Sequence, residues 1–346
     1  MKLMHTADLH LKKGAARRIE ILEWLIKKAQ ESEVEYVIIA GDLFDSDADA
    51  TILRPEVKTI FDTGSIKFLI IPGNHDLKSF SRDYDYGRNV IQLINTPFEI
   101  TELDNLSICA VPYQNNKFSE CVQNIPEKVD IIIAHGTLYD ESFIFPLLDD
   151  KETTYMPLYP SNLENRARYV AMGHLHSRNI ERKYKNTTVI YPGSPIALDT
   201  KCEGQRCVYL LNIDKKELTV EPISVNIAPY WQKKEFFAFP GNEEETLNEI
   251  ESYLANINIA NIMPNIIING FISKKEKEFN TRIDDINNKF KTKFQDIKIG
   301  VSIQSWDKIM EHRLIKNFVE RTIDLDNRLR MKVFEISFPI FSEIMK

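Results

Sequence analysis

Lys2-Leu3-Met4-His5-Thr6-Ala7-Asp8-Leu9-His10 opens the chain, and its two halves differ in kind. Residues 2–6 have the length and β-branched, apolar content of a buried strand. Asp8 and His10 follow at once. Residues two apart along an extended chain point the same way, so both side chains can reach one ion. The arrangement recurs. Apolar runs at 34–40, 67–71, 131–134 and 169–172 end in Gly41-Asp42-Leu43-Phe44-Asp45, Gly73-Asn74-His75-Asp76, His135-Gly136 and Gly173-His174-Leu175-His176. Between the first two runs, Ile19, Leu22, Leu25, Ile26 and Ala29 keep helical spacing over 17–30. Strand, helix, strand is the unit of a layered α/β domain. Ligands in such sheets gather beyond the carboxyl ends of the strands, so five strand ends are expected to converge on one cleft. The run at 106–111 ends in no polar cluster and reads as a structural strand.

The residue types at those ends define a chemistry. Carboxylate oxygen with imidazole nitrogen suits manganese, iron or zinc, and a set without thiolate argues against structural zinc. One carboxylate can bridge two ions, which lie ~3.5–4 Å apart in two-metal sites. Such a pair activates water and clamps a phosphoester. The chain has seven histidines, and five of them (His10, His75, His135, His174 and His176) fall in these motifs. A lone histidine is ordinarily a packed or surface residue; five at successive strand ends, beside glycine-flanked Asp and Asn, form a site. The glycines let the backbone turn sharply and approach an ion or phosphate. His5, inside the first run, is expected to pack, and His312 to lie on a helix surface.

At 346 residues the chain exceeds one small core, and its 43% hydrophobic and 27% charged residues are globular values. A net charge of -7 gives no overall sign of a polyanion partner, yet fifteen Lys and Arg face ten Asp and Glu over 271–332. Four cysteines are too few for a disulfide framework. No charged-then-apolar leader opens the sequence, and no apolar run approaches bilayer length, which together predict a soluble cytoplasmic protein. Past residue 215 the pattern changes to strand 234–239, helix 243–257, strand 265–273, helix 274–294 and strand 296–304. Residues 306–346 then read as helical, with apolar Ile309, Leu314, Ile315, Phe318, Val319, Ile323, Leu325 and Leu329, and with Pro339 interrupting the last stretch.

Asp-x-His, Gly-Asp-x-x-Asp, Gly-Asn-His-Asp, His-Gly and Gly-His-x-His, in this order, resemble the calcineurin-like metallophosphoesterase superfamily. His5-Thr6-Ala7-Asp8-Leu9-His10-Leu11, Gly41-Asp42-Leu43-Phe44-Asp45 and Tyr191-Pro192-Gly193-Ser194-Pro195 resemble, more narrowly, the SbcD family of double-strand-break repair nucleases. The resemblance implies an α/β fold: a β-sandwich core flanked by helices over 1–215, a smaller α/β DNA-capping domain over 216–305, and a helical C-terminus, 306–346, that docks an SbcC-type, SMC-like ATPase. It implies two divalent ions, manganese in that family. One is held by Asp8, His10, Asp42 and His176, the other by Asp42, Asn74, His135 and His174. It further implies that His75 contacts the scissile phosphate and that Asp45 orients His75; the alternative for Asp45 is a cap on the following helix. DNA as substrate, a homodimer, and a cytoplasmic location (nucleoid-associated if bacterial) are implied in the same way.

Three functions compete. The first is a manganese-dependent DNA nuclease, both double-strand exonuclease and single-strand endonuclease. The second is a small-molecule phosphodiesterase or phosphomonoesterase; protein phosphatases of the superfamily follow the second motif with Arg-Gly and end the third in Glu, where this chain has Ser46-Asp47 and Asp76. The third is a non-catalytic scaffold binding DNA or an ATPase, which no missing ligand favours. In the C-terminal third, Lys289, Lys291 and Lys293 are candidate DNA-backbone contacts, and Phe318 is a candidate docking residue.

Overall fold

The computed structural model describes residues 1–123, 125, 128–140, 155–177, 179–273 and 276–344. It divides into two compact units, Met1–Ala228 and Pro229–Lys346. The first unit begins with β1 (Lys2–Thr6), α1 (Ala16–Glu31), β2 (Tyr36–Ala40), α2 (Asp47–Phe61), β3 (Lys67–Ile71) and β4 (Val90–Gln92). It continues with β5 (Glu99–Leu103), β6 (Leu106–Val111), α3 (Phe118–Cys121), β7 (Val129–His135), α4 (Pro160–Leu163) and β8 (Ala167–Gly173). It closes with β9 (Ile180–Tyr184), β10 (Thr187–Tyr191), β11 (Cys207–Ile213) and β12 (Leu218–Ser224).

These strands build two six-stranded sheets, ordered β12-β11-β1-β2-β3-β4 and β5-β6-β7-β8-β10-β9. β1 to β4 are parallel neighbours, as are β6, β7, β8 and β10. All five residues of β2 are buried, because both faces of the sheet are covered; a strand so placed must be apolar throughout. Toward the other sheet, Ile38 and Leu69 meet Ile131, Ile133 and Tyr169. On the outer face, Val37, Ile39 and Phe68 meet Leu22 and Leu25 of α1 and Val57 and Phe61 of α2. The second sheet is covered on its outer face by Phe118 and Leu163. The result is a helix-flanked β-sandwich. The expected boundary at 215 falls in the β11–β12 turn, and the first unit runs on to Ala228 because β12 pairs along its whole length with β11.

In the second unit, β13 (Tyr230–Ala238), α5 (Glu243–Asn256), β14 (Ile262–Ile272), α6 (Glu276–Phe290) and β15 (Lys298–Ser305) alternate, giving a parallel sheet β13-β14-β15. Leu247, Ile250, Phe279 and Ile283 pack on Ile266 and Ile268. Then come α7 (Trp306–Met310), α8 (Arg313–Arg321) and α9 (Asn327–Ile344). Ile309, Ile315, Val319, Phe334, Phe338 and Phe341 bury Phe271 of β14, so the helices share one compact unit with the sheet. Residue 274, where the sequence starts a helix, and residues 345 and 346 lie outside the described residues. Pro339 does not interrupt α9, which continues through it. Proline lacks the N–H that would bond the Glu335 carbonyl and crowds that carbonyl with its ring; Glu335 is an exposed residue, while Phe338 and Phe341 hold the helix on both sides. Among the described residues no helix is long and apolar enough to cross a membrane.

Candidate metal centre

The strand ends leave their ligands on strained backbone. Asp8, His10, Asp42 and His174 have φ of 56°, 47°, 50° and 107°, a region that costs about 1–3 kcal/mol per non-glycine residue. Hydrogen bonds over-determine the conformation: Asp8 N donates to the Gly41 carbonyl and His10 N to the Asp42 carbonyl. His174 N donates to the Asp8 carboxylate at 3.0 Å, and His75 N to Asp42 Oδ1 at 2.9 Å. Two glycines are imposed by the crowding. A Cβ on Gly73 would meet Asp42 Oδ1 at 2.1 Å, and one on Gly41 (φ 90°) would meet His135 Nδ1 at 2.2 Å.

All seven expected ligands are brought together. Atoms from Asp8, His10, Asp42 and His176 lie within 4.8 Å of one another, with His10 Nε2 and His176 Nε2 3.0 Å apart. Asn74 Oδ1 lies 3.0 Å from His135 Nε2 and 3.1 Å from His174 Nδ1. Asp42 touches both groups, its Oδ2 standing 3.3 Å from His135 Nε2 and 3.6 Å from His10 Nε2. That oxygen is buried and has no hydrogen-bond partner among the described residues. The Ala40 carbonyl, 2.9 Å from His135 Nδ1, can only accept. His135 therefore carries its proton on Nδ1 and turns Nε2 to the centre. Nitrogens crowding an orphaned buried carboxylate oxygen are the donor set of a divalent cation.

Electrostatics agree with that fit. Burial, with Asp42 and Asp76 nearby, pushes Asp8 up to about 8, despite His135 and the His174 amide. For Asp42, burial is outweighed by His135 and His10, which hold its carboxyl well below the usual range. Burial opposes protonation of His135, but Asp42 and Asp8 raise it to about 9. His176 is held well below its ordinary value, first by burial and then by His10. Asp8 and His135 thus keep protons that a cation would replace.

His75 is exposed, its ring 4.7 Å from that of His10. Its Nδ1 lies 3.2 Å from the main-chain carbonyl of Asp45. The Asp45 carboxylate points elsewhere: it accepts from Lys12 Nζ at 2.7 Å and Arg18 Nη1 at 3.0 Å and faces His10 Nδ1 at 3.5 Å. Asp45 does not cap α2; Ser46 does, accepting from Asp49 N. Three neighbours went without a role in the sequence. Asp76 is buried and accepts from Phe44 N and Gly73 N, lacing two motif loops. Tyr113 and Tyr155 flank His135 and His174, with rings 6.3 Å and 5.2 Å away. Asp76 stands inside the Gly-Asn-His-Asp motif, whereas the tyrosines lie in stretches with no pattern to mark them.

His5 is fully buried, its Nδ1 2.8 Å from the Tyr169 hydroxyl, and burial lowers it to about 3. His312 precedes α8 rather than lying on a helix surface. All four cysteines are free and buried.

A model of the calcineurin-like phosphoesterase superfamily domain matches residues 1–216. The chain belongs to the calcineurin-like phosphoesterase superfamily. As a member of that superfamily it has the fold of a metal-dependent phosphoesterase, and its Asp and His cluster is a candidate site for divalent metal. Among curated relatives, the SbcD subunit of the nuclease SbcCD from Escherichia coli, strains K12 and O157:H7, is 24% identical over 281 residues, covering 66% of this chain and 69% of that protein. Among solved structures, an archaeal phosphodiesterase is 18% identical with a TM-score of 0.34, over 64% of this chain and all of that one. A dimetal phosphatase from Danio rerio is 10% identical with a TM-score of 0.45, over 64% of this chain and 95% of that one.

Proposed function

We propose that this phosphoesterase is a manganese-dependent DNA nuclease of the SbcD type, acting with an SMC-like ATPase in double-strand-break repair. The observation that carries the reading is the convergence of Asp8, His10, Asp42, Asn74, His135, His174 and His176 around one buried carboxylate, in a chain related to one component of a nuclease. Asp8, His10, Asp42 and His176 would hold one ion and Asp42, Asn74, His135 and His174 the other. When bound, the pair supplies an activated water and neutralises charge at the phosphate. Asp42 ties the two groups of ligands together. His75, with Nδ1 directed at the Asp45 carbonyl, has Nε2 free to hydrogen-bond the scissile phosphate and pass a proton to the leaving oxygen.

The second unit supports the partnership. Leu314, Ile323, Leu329, Ile336 and Ile340 are exposed on or beside α8 and α9, and exposed apolar side chains on helices are what a partner helix docks on. Phe318 is not part of it, since its ring packs against Phe334 and Phe341. Of the three lysines proposed to contact the DNA backbone, Lys289 at the end of α6 pairs with Glu251, and Lys293 beyond it donates to the carbonyls of Leu254 and Ala255. A homodimer remains part of the proposal by relationship alone.

The test is degradation of linear double-stranded DNA with Mn2+, with and without the ATPase and ATP, beside a generic phosphomonoester. Metal-dependent DNA cleavage stimulated by the partner is expected. Monoester hydrolysis without DNA cleavage would make the protein a phosphatase, and no hydrolysis of either would make it a scaffold.

A further inference from the structure

Arg206 is the largest fully buried side chain among the described residues, 1% exposed. A buried cation is costly unless its hydrogen bonds are met. Nε donates to the Ser194 carbonyl at 2.8 Å and Nη2 to the His176 carbonyl at 2.7 Å. Nη1 is shared between the carbonyls of Ser177 at 3.0 Å and Glu203 at 3.4 Å. All its hydrogen bonds among the described residues therefore go to main-chain carbonyls. They join three loops: the one after β8 that carries His176, the Pro192-Gly193-Ser194-Pro195 turn after β10, and the stretch leading into β11. Ser194 N also donates to the His176 carbonyl, at 3.2 Å. β11, which Arg206 directly precedes, runs antiparallel to β1 with His5 opposite Tyr209.

An apolar side chain could fill the same space without burying charge. What it could not do is hold three loops by their carbonyls in fixed directions, as the planar guanidinium does. The other ligands are held by different means. His135 is oriented by the Ala40 carbonyl, and His174 through its amide by Asp8. We propose that Arg206 is a positioning residue for His176: by clamping that residue's carbonyl it aims the imidazole at Asp8, His10 and Asp42. It thereby sets the affinity of one metal position and leaves the other alone.

This inference rests on the two-metal reading, and calorimetric titration with Mn2+ separates the two. Wild-type protein is expected to bind two Mn2+ per chain; a single ion would overturn the two-metal reading whatever Arg206 does. Arg206→Met keeps the aliphatic stem and loses the clamp. It is expected to weaken one Mn2+ about 10–100-fold, the usual effect of removing a group that orients a ligand, and to leave the second at wild-type affinity. Arg206→Lys, a cation with a shorter reach for the carbonyls, should fall between. Two wild-type affinities in the Met variant, or equal weakening of both ions, would overturn the proposal. If the Met variant loses its circular dichroism signal, the Lys variant decides on the same criterion: weakening of one ion supports positioning, and unchanged or equal affinities refute it.

Discussion

Asp45 serves two histidines with two different groups. Its main-chain carbonyl faces His75 Nδ1, while its carboxylate faces His10 and binds Lys12 and Arg18. Hydrogen bonding to His10, with Lys12 and Arg18 adding to it, holds that carboxyl well below the usual range. Asp45→Asn should therefore leave His75 oriented and lower Mn2+ affinity about 10-fold or more, because the carboxylate beside His10 keeps its far nitrogen turned to the metal. His75→Gln should do the reverse, cutting kcat by roughly 10²–10⁴ as expected for a lost proton-transfer group, with Mn2+ affinity unchanged. Metal titration and steady-state kinetics on both variants check the pair; a normal affinity in Asp45→Asn would refute the His10 assignment. At this scale the motif located both residues. It did not say which atom of Asp45 does what, because that depends on Lys12 and Arg18 reaching the same carboxylate.

At the scale of elements, α9 keeps a proline in its interior at a position where both Pro339 and Glu335, one turn earlier, are exposed residues. An interior proline costs about 3 kcal/mol against alanine, partly offset by the roughly 0.4–1 kcal/mol it removes from the unfolded chain's entropy. Pro339→Ala is expected to stabilise the second unit by about 2 kcal/mol, read as a higher urea midpoint with unchanged slope. A lower midpoint would mean that the proline shapes the packing of Phe338 and Phe341. The buried strands β1, β2, β3, β7 and β8 were legible because burial on both faces demands continuous apolar runs. Strands β9 and β12 were not, since exposed residues break up their apolar content and they carry no ligand at the end. The proline was misjudged for a similar reason: propensity is local, and the aromatic core that overrides it is assembled from three separate helices and β14.

At the scale of the molecule, the first unit buries Asp8, Asp42 and Asp76 close together, and this makes its stability depend on pH and metal. With Asp8 at about 8 and His135 at about 9, the folded metal-free chain holds protons that the unfolded chain, with values of 3.8 and 6.5, has largely shed by pH 7. When the folded state binds more protons, stability falls as pH rises. Asp42, held low, is ionised in both states above about pH 6 and adds no slope there. Scanning calorimetry in EDTA should show the first unit melting lower at pH 8.5 than at pH 6.5. Mn2+ replaces the protons and should raise that transition more at pH 8.5, leaving the second unit unmoved. A metal-free transition that rises with pH would contradict the placement of these charges.

The sequence by itself determined the α/β class and the nine residues of the candidate site, because a buried parallel strand is apolar to its end and the ligand types follow there in order. Tertiary structure alone decided how those residues are held. The orientation of His135 by Ala40, the aim of the Asp45 carboxylate and the clamp of Arg206 on His176 all join segments far apart in the chain or turn on side-chain direction. Arg206 shows the limit most clearly. Nothing beside it in sequence marks a lone arginine ahead of an apolar strand, and its role exists only where three loops bring their carbonyls to one buried guanidinium.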